Sequence, residues 1–324
     1  MQNARGGYEN DVSLIRLSNN HFFMIAPTEQ QSRCYSWLRS HVDEDSNLAI
    51  QNVSTDYTAI CIMGPYSKLL LLDAIAKAAN SISVPIENYI REMENFPFFT
   101  SKELPLGSEN VPVLACNLTH TGELGFVLYM RNTEALTVYQ TLLNVGAKYG
   151  LQHAGSIAVR ALRIEKFLAF WGQDLDTTTT PFECGRGFRV CFDKDFLGKE
   201  ALLKQKAEGV RRRYVQLVLD SFDSEKEPLW PWGGEPIYLV GMNDTPVGMT
   251  TTTSYGFTLG RMVCLGYIRH PDPNEVITNE FLLNKKFEVD IGGKRFLAHI
   301  NLHSPKLTDT SGQIEGSYLP SGNN

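Results

Sequence analysis

The sequence has little that would direct it to a membrane or to nucleic acid. No apolar run approaches the roughly 20 residues that a membrane-spanning helix needs. The longest candidate, around Leu69–Leu72, lies inside an amphipathic segment. Lysine and arginine number 30 against 36 aspartate and glutamate residues, which gives a formal net charge of −6 at pH 7. Since there is also no sustained basic stripe, this charge argues against nucleic acid as a main partner.

Cysteine is sparse and unpatterned. The six cysteines, at positions 34, 61, 116, 184, 191 and 264, include no CxxC pair. This spacing fits neither a zinc site nor a disulfide framework, so it indicates a reducing compartment and no metal site. The first residues, MQNARGGYENDVSL, carry neither a secretory signal nor an arginine-rich leader. They open directly on a Gly-Gly turn, and we therefore expect a chain that begins inside a domain.

With 324 residues, 43% hydrophobic and 20% charged, the chain is long enough for two domains of ordinary globular composition. Strands and helices alternate over the first two hundred residues without βαβ regularity, which predicts an α+β arrangement. Val12–Leu17 and His21–Ile25 are expected to form a hairpin, and Thr28 is expected to open a capping box. The segment Glu94–Asn110, with two prolines and a glycine, is predicted to be a loop.

After Lys206 the pattern changes to short β-rich runs. These are Tyr214–Asp220, Pro236–Val240, Pro246–Thr253, Met262–Tyr267, Phe287–Ile291 and Phe296–Leu302. They predict a small antiparallel barrel or sandwich. The expected organisation is a first domain over residues 1–206, a second over 212–302 and a polar, disordered tail over 303–324.

Two segments near this boundary are open to more than one interpretation. The run from Arg211 to Arg213 is typical of a solvated charge cluster, but it could also face the other domain or the anionic tail of a ligand. The segment from Trp230 to Gly234, WPWGG, is a stiff aromatic loop that we expect to pack against the protein rather than to bind a partner.

Two glutamates stand out between residues 156 and 198. A helix is expected to run to Trp171-Gly172, with Ile157, Ala161, Ile164 and Leu168 along one apolar face. At 100° per residue, Glu165 lies at the edge of this face and has no basic neighbour three or four residues away. Glu183 follows a proline and precedes a glycine in the segment TPFECG. Two held carboxylates can bind a heterocycle such as a pterin or an arginine side chain, but two structural salt bridges explain them equally well.

Several segments together resemble the aminomethyltransferase, or glycine-cleavage T-protein, superfamily. They are RGGYENDVSLIRL, IMGP, HTGELGF, the helix of Glu165, TTTTPFECGRGF, DFLGKEALL and CLGY. The resemblance covers roughly residues 1–302 and implies a folate-binding domain followed by a small antiparallel barrel. Within the superfamily, FWGQDLDTTTTPFECGR and WPWGGEPIY are most similar to the regulatory subunits of pyruvate dehydrogenase phosphatase, a branch related to dimethylglycine and sarcosine dehydrogenases.

The resemblance implies roles for particular residues. The family's pterin-binding carboxylates correspond to Glu165 and Glu183, with His120 and Arg213 as further candidates for the folate pocket. The catalytic aspartate corresponds to Cys34, which from its helical position alone is a small core residue. A thiol with a pKa near 8.5 is mostly neutral and a poor acceptor, so it does not replace an ionised carboxylate. Val127 stands where the family has an acidic residue.

These departures predict a site without transferase chemistry. The resemblance implies a non-catalytic regulatory subunit fragment in the mitochondrial matrix, with the pyruvate dehydrogenase phosphatase catalytic subunit as its partner and its Mg²⁺ sensitivity as the regulated property. FAD is expected only in an amino-terminal half that this sequence lacks. Two alternatives stay open: an active tetrahydrofolate-dependent one-carbon transferase, and a folate sensor that binds tetrahydrofolate without reaction.

Overall fold

A computed structural model describes residues 1–43, 45–82, 85–242 and 245–305 of the chain. These residues form two compact units. One unit contains residues 13–155, and the other combines Met1–Val12 with the chain from Ser156 onward. The compact units therefore divide the chain differently from the sequence-based domains 1–206 and 212–302. Most of the tail expected at 303–324 lies outside the described residues.

The unit of residues 13–155 is built on an antiparallel four-stranded sheet. Its elements are β1 (Ser13–Ser18), β2 (His21–Ile25), α1 (Gln31–Arg39), β3 (Tyr57–Met63), α2 (Ser67–Ile82), α3 (Ile86–Glu94), β4 (Ser101–Leu106), β5 (Val111–Cys116), β6 (Gly125–Arg131) and α4 (Ala135–Gly146). The sheet has the order β3-β6-β5-β4, and β1 and β2 form a separate hairpin. Helices α2 and α4 pack on the main core of this unit, whereas the hairpin contributes Ile15 and Phe23 to a smaller cluster around Val127.

The second unit contains the barrel. Its elements are α5 (Ser156–Glu165), α6 (Lys199–Glu208), β7 (Arg212–Leu219), β8 (Pro236–Leu239), β9 (Gly248–Gly256), β10 (Arg261–Arg269), α7 (Asn279–Asn284), β11 (Phe287–Ile291) and β12 (Lys294–Asn301). Six strands close in the order β10-β7-β12-β11-β8-β9 around a core that includes Phe287 and Leu217, both fully buried. The α+β arrangement and the carboxy-terminal antiparallel barrel predicted from the sequence are confirmed.

Three local predictions are wrong. The expected loop Glu94–Asn110 contains strand β4, because Pro105 lies on the edge strand of the sheet, where a missing N–H donor is tolerated. No capping box forms at Thr28, which starts a single 3₁₀ turn before α1 and makes no side-chain cap. The amino-terminal hairpin, in contrast, is confirmed, with Ser13 paired to Ile25 at its open end.

The third wrong prediction concerns the helix that carries Glu165. Helix α5 ends at Glu165 rather than near Trp171. Phe167 then adopts a left-handed conformation with φ of 56°, and its ring stacks on Tyr214 with the ring centroids 5.2 Å apart. Ile157, expected on the buried face, is 56% exposed. This early ending turns the chain into the loop that contains most of the candidate site.

Candidate functional site

Glu165 is the last residue of α5 and is almost completely buried, with 1% of its surface exposed. Its Oε1 accepts hydrogen bonds from the backbone N–H groups of Thr258, at 2.7 Å, and Leu259, at 2.9 Å. Both donors lie in the turn between β9 and β10. The absence of a side chain at Gly256 makes room for this contact, because a Cβ there would lie 2.9 Å from the same oxygen. Glu165 therefore attaches α5 to one end of the barrel.

Glu183 lies in the turn that follows Pro181 and forms an ion pair with Arg212 on β7. The Nε of Arg212 is 3.1 Å from Oε1, and its Nη2 donates to Oε2 at 3.1 Å. The backbone N–H of Thr180 donates a further bond to Oε2 at 3.0 Å. Three of the roughly four acceptor positions of this carboxylate are thus used within the protein. The structure thus shows a structural ion pair at Glu183 and, within the described residues, none at Glu165. This pair also accounts for one member of the arginine run.

Arg213 points at the same turn but contacts no carboxylate there. Its Nη1 donates to the carbonyl of Phe182 at 2.9 Å, while its Nε is buried without a hydrogen-bond partner among the residues that the structure describes. Burial lowers the pKa of Arg213 below its usual value, because removal from water disfavours the charged form. The hydroxyl of the adjacent Tyr214 is also buried without a partner.

One aromatic core cluster connects these side chains. It contains Ile164 from α5, Cys184 from the turn of Glu183, and Tyr214 and Leu265 from the barrel. Glu165, Glu183 and Arg213 are each the chain neighbour of one member of this cluster. The structure thus brings these three predicted residues together within one unit.

The amino-terminal segment contributes to the same cluster through Tyr8, which the sequence reasoning did not single out. The backbone N–H of Tyr8 donates to the carbonyl of Thr179 at 2.9 Å, and its hydroxyl lies 3.5 Å from the sulfur of Cys184. Burial raises the pKa of Tyr8 well above its usual value. Gly7 permits this approach, since a Cβ there would lie 2.0 Å from the carbonyl oxygen of Thr177. The paired glycines of the RGGYEND motif were the available signal.

Asn10 lies two residues further along this segment and is 1% exposed. Its Oδ1 accepts from the backbone N–H of Asp11, whereas its Nδ2 has no hydrogen-bond partner in the part of the chain that the structure describes. Arg213 Nε and the Tyr214 hydroxyl are buried donors of the same kind.

A buried ion pair between Arg163 and Asp174 was also missed. The two side chains are 5% and 0% exposed, and Nη1 of Arg163 lies 2.7 Å from Oδ2 of Asp174. The carboxylate also accepts from the backbone of Phe170 and from the hydroxyls of Thr251 and Thr252 on β9. A charge in the middle of an apolar helix was the only signal in the sequence, since the partners on β9 lie almost eighty residues away. This network holds α5 and the loop after it against the barrel.

The other predicted site residues belong to the unit of residues 13–155. Cys34 is 6% exposed and is the buried residue of α1, as expected for a small core side chain. Val127 is 1% exposed between Cys61 and Cys116 on neighbouring strands, an apolar setting in which a carboxylate would lack compensation. His120 is exposed as a whole residue. The protein around its ring nevertheless removes water from it, and this desolvation lowers the pKa of His120. The assignment of Cys34 to the family's aspartate position stays a prediction.

Two surface depressions are lined by other residues. One, of about 540 Å³, lies at the barrel between Leu239, His270 and Phe281. The other, of about 370 Å³, lies at the start of α6 beside Gly198. Neither is lined by Glu165 or Glu183.

Among the described residues, no helix is long and apolar enough to cross a membrane.

Comparison with known families matches nearly the whole chain. The GCVT N-terminal domain model matches residues 1–194, and the glycine cleavage T-protein C-terminal barrel domain model matches residues 212–306. The aminomethyltransferase T of the glycine cleavage system from Bartonella henselae has a similar structure, with a TM-score of 0.69 at 18% identity over 95% of this chain and 74% of that chain. At this identity, the structural match shows the fold alone.

Individual relatives are longer than this chain. The mitochondrial pyruvate dehydrogenase phosphatase regulatory subunit of Mus musculus is 43% identical over 94% of the chain, which corresponds to 33% of that protein. The mitochondrial sarcosine dehydrogenase of Mus musculus is 30% identical over 98% of the chain and 34% of its own length. The chain thus spans about a third of the length of these two relatives.

Proposed function

The chain belongs to the glycine cleavage T-protein family, and we propose that it is a non-catalytic regulatory module that acts on a pyruvate dehydrogenase phosphatase catalytic subunit. Support comes from the 43% identity to a regulatory subunit of that phosphatase, against 30% to an oxidoreductase of the same family. The same relatives support a mitochondrial location, and we propose the matrix as the compartment. The regulated property that we propose is the Mg²⁺ sensitivity of the phosphatase.

The observation that carries the non-catalytic part of the proposal is the way in which the two predicted pterin carboxylates are used. Glu183 accepts from Arg212 and Thr180, and Oε1 of Glu165 accepts from two backbone N–H groups. These bonds fill three of about four acceptor positions of Glu183 and about half of those of Glu165, so a pterin that bound both carboxylates would have to displace donors from Glu183. Glu183 therefore supports the non-catalytic proposal, whereas Oε2 of Glu165 keeps capacity for a ligand.

The regulatory proposal is tested by measuring phosphatase activity against Mg²⁺ concentration, with and without this chain and with a full-length relative. Regulation requires that the subunit bind one state of the phosphatase more tightly than another. Coupling energies of about 1–3 kcal/mol would shift the Mg²⁺ requirement roughly 5- to 150-fold. If neither protein binds the phosphatase or moves the curve, the regulatory proposal is wrong.

The enzymatic alternative is tested by a tetrahydrofolate-dependent one-carbon transfer assay. We expect no turnover, because a positioned carboxylate typically contributes about 100-fold or more and Cys34 does not supply one. Turnover comparable to that of an authentic aminomethyltransferase, abolished by Cys34→Ser, would contradict the proposal.

A folate sensor is the second candidate function, and one observation favours it. Several buried donors without partners among the described residues, including those of Asn10, Arg213 and Tyr214, belong to the unit that contains Glu165 and are of the kind that a polar ligand satisfies. Isothermal titration calorimetry with a reduced folate distinguishes a folate sensor from a regulatory module that binds no folate. Binding that Arg213→Met abolishes would establish the sensor, and no heat above background would remove it.

A further inference from the structure

We propose that the surface formed by Trp232 and Arg160, next to the exposed Trp230 two residues earlier in the chain and here called the tryptophan platform, binds an acidic segment of the phosphatase catalytic subunit that carries an apolar anchor residue. This inference rests on the proposed regulatory function and adds the contact surface to it. The sequence predicted that the WPWGG loop packs against the protein. Only Pro231 between the two tryptophans is buried, whereas Trp230 is 50% and Trp232 is 56% exposed.

The loop that presents these rings is held in place by Glu235. Its Oε1 accepts hydrogen bonds from the backbone N–H groups of Trp232, at 2.7 Å, and Gly233, at 3.0 Å. Its Oε2 accepts from the hydroxyl of Thr250 on β9. The backbone of Gly233 also lies against the barrel, because a Cβ at that position would lie 2.5 Å from the carbonyl oxygen of Thr251. The backbone that carries Trp232 is therefore pre-organised, and little backbone entropy would be lost when its ring binds.

Arg160 on α5 adds a charge to the platform. Its guanidinium carbon lies 4.1 Å from the centre of the Trp232 ring, in cation–π geometry. Among the described residues, Arg160 forms no hydrogen bond or ion pair, and its Nη1 is buried without a partner. The two carboxylates whose charges act on Arg160, those of Asp174 and Glu235, already accept bonds from other groups.

This arrangement indicates which kind of partner the platform binds. A guanidinium is a planar fork of donors that matches a carboxylate, and apart from the buried Nη1 the donors of Arg160 lie outside any bond within the described residues, which favours an acidic partner. Exposed tryptophan beside arginine is the composition of energetically dominant positions in protein interfaces. In an acidic protein segment with an apolar anchor residue, the anchor would pack on the Trp232 ring and a carboxylate would pair with Arg160.

The chain offers a matched control pair in the same unit. Phe188 is 75% exposed, and the guanidinium carbon of Arg189 lies 5.7 Å from the centre of its ring. Phe188→Ala and Arg189→Gln thus remove an exposed aromatic ring and an exposed positive charge away from the platform. Variants on both surfaces are compared at equal folded fraction, verified by thermal unfolding.

The test measures the affinity of the phosphatase catalytic subunit for this chain by biolayer interferometry. Trp232→Ala and Arg160→Gln should each weaken binding about 10-fold or more, as interface positions of this type do. Arg160→Lys should recover part of the affinity because it keeps the charge, and Phe188→Ala and Arg189→Gln should leave the affinity unchanged. Added salt should weaken binding of the unsubstituted chain more than binding of Arg160→Gln, since only the former retains the ion pair.

Three other outcomes overturn the assignment. Unchanged affinity of the platform variants, with intact binding of the chain, would place the contact elsewhere and leave the regulatory proposal standing. No binding of the unsubstituted chain would remove the assignment together with the regulatory proposal for this chain. A dimer in light scattering that Trp232→Ala dissociates would show that a second copy of the chain, rather than an acidic segment, covers the platform.

Discussion

Substitution of Glu165 tests whether its carboxylate stabilises the fold or binds a ligand. Its Oε1 accepts two backbone hydrogen bonds from the β9–β10 turn. A hydrogen bond to a charged group contributes about 1.5–3 kcal/mol, so the two together would give roughly 3–6 kcal/mol. Thr258 is exposed, and water can reach its N–H group once the carboxylate is removed. We therefore expect Glu165→Ala to lower the free energy of unfolding by about 2–4 kcal/mol.

Glu165→Gln sharpens this prediction. Glutamine keeps a carbonyl oxygen that both N–H groups can use but removes the charge. Because charge-assisted hydrogen bonds are about twice as strong as neutral ones, about half of the loss, roughly 1–2 kcal/mol, should remain. The matched control is Glu208→Ala at the end of α6, where the carboxylate is 64% exposed and 3.9 Å from Lys204. Its loss should change stability by about 0.5 kcal/mol or less.

The assay is equilibrium unfolding in urea, followed by tryptophan fluorescence and by circular dichroism. The order of stability should be unsubstituted chain, then Glu165→Gln, then Glu165→Ala, with Glu208→Ala close to the unsubstituted chain. Residues that serve binding often reduce stability, so their removal leaves it unchanged or raises it. An unchanged or higher stability of Glu165→Ala would refute the structural role and favour a ligand at this position.

The sequence predicted the barrel well because its signals are local. Strand β11 was predicted with its observed bounds, Phe287–Ile291, since alternating apolar residues end at the Gly292-Gly293 turn. Strand β4, which lies in the segment predicted to be a loop, contains Pro105, and proline is informative only when the position of the strand in the sheet is known.

The partners of the candidate site were not predictable for a different reason. Glu165 accepts its bonds from residues 93 and 94 positions further along the chain, and Glu183 pairs with an arginine 29 positions away. The sequence identified both as carboxylates in need of donors, but only the closed barrel determines which donors reach them. Just beyond the early end of α5, Phe167 likewise makes a contact with a distant residue, the stacking of its ring on Tyr214.

Two further predictions concern buried groups away from the carboxylates. Burial raises the pKa of Cys116 to about 12, so at pH 8 only about one molecule in 10,000 carries the reactive thiolate. Iodoacetamide should label the exposed Cys191 but not Cys116 until urea unfolds the chain, and rapid labelling of folded Cys116 in peptide mass spectra would contradict this. The second prediction concerns the buried ion pair between Arg163 and Asp174. Removal of one member leaves an uncompensated buried charge, so Asp174→Leu and Arg163→Met should each cost about 3–5 kcal/mol. The double variant removes both charges and should cost less than the sum, although the hydroxyls of Thr251 and Thr252 also lose their acceptor. Urea unfolding of all four proteins gives the coupling energy, and simple additivity of the two single effects would show that the pair does not stabilise the contact of α5 with the barrel.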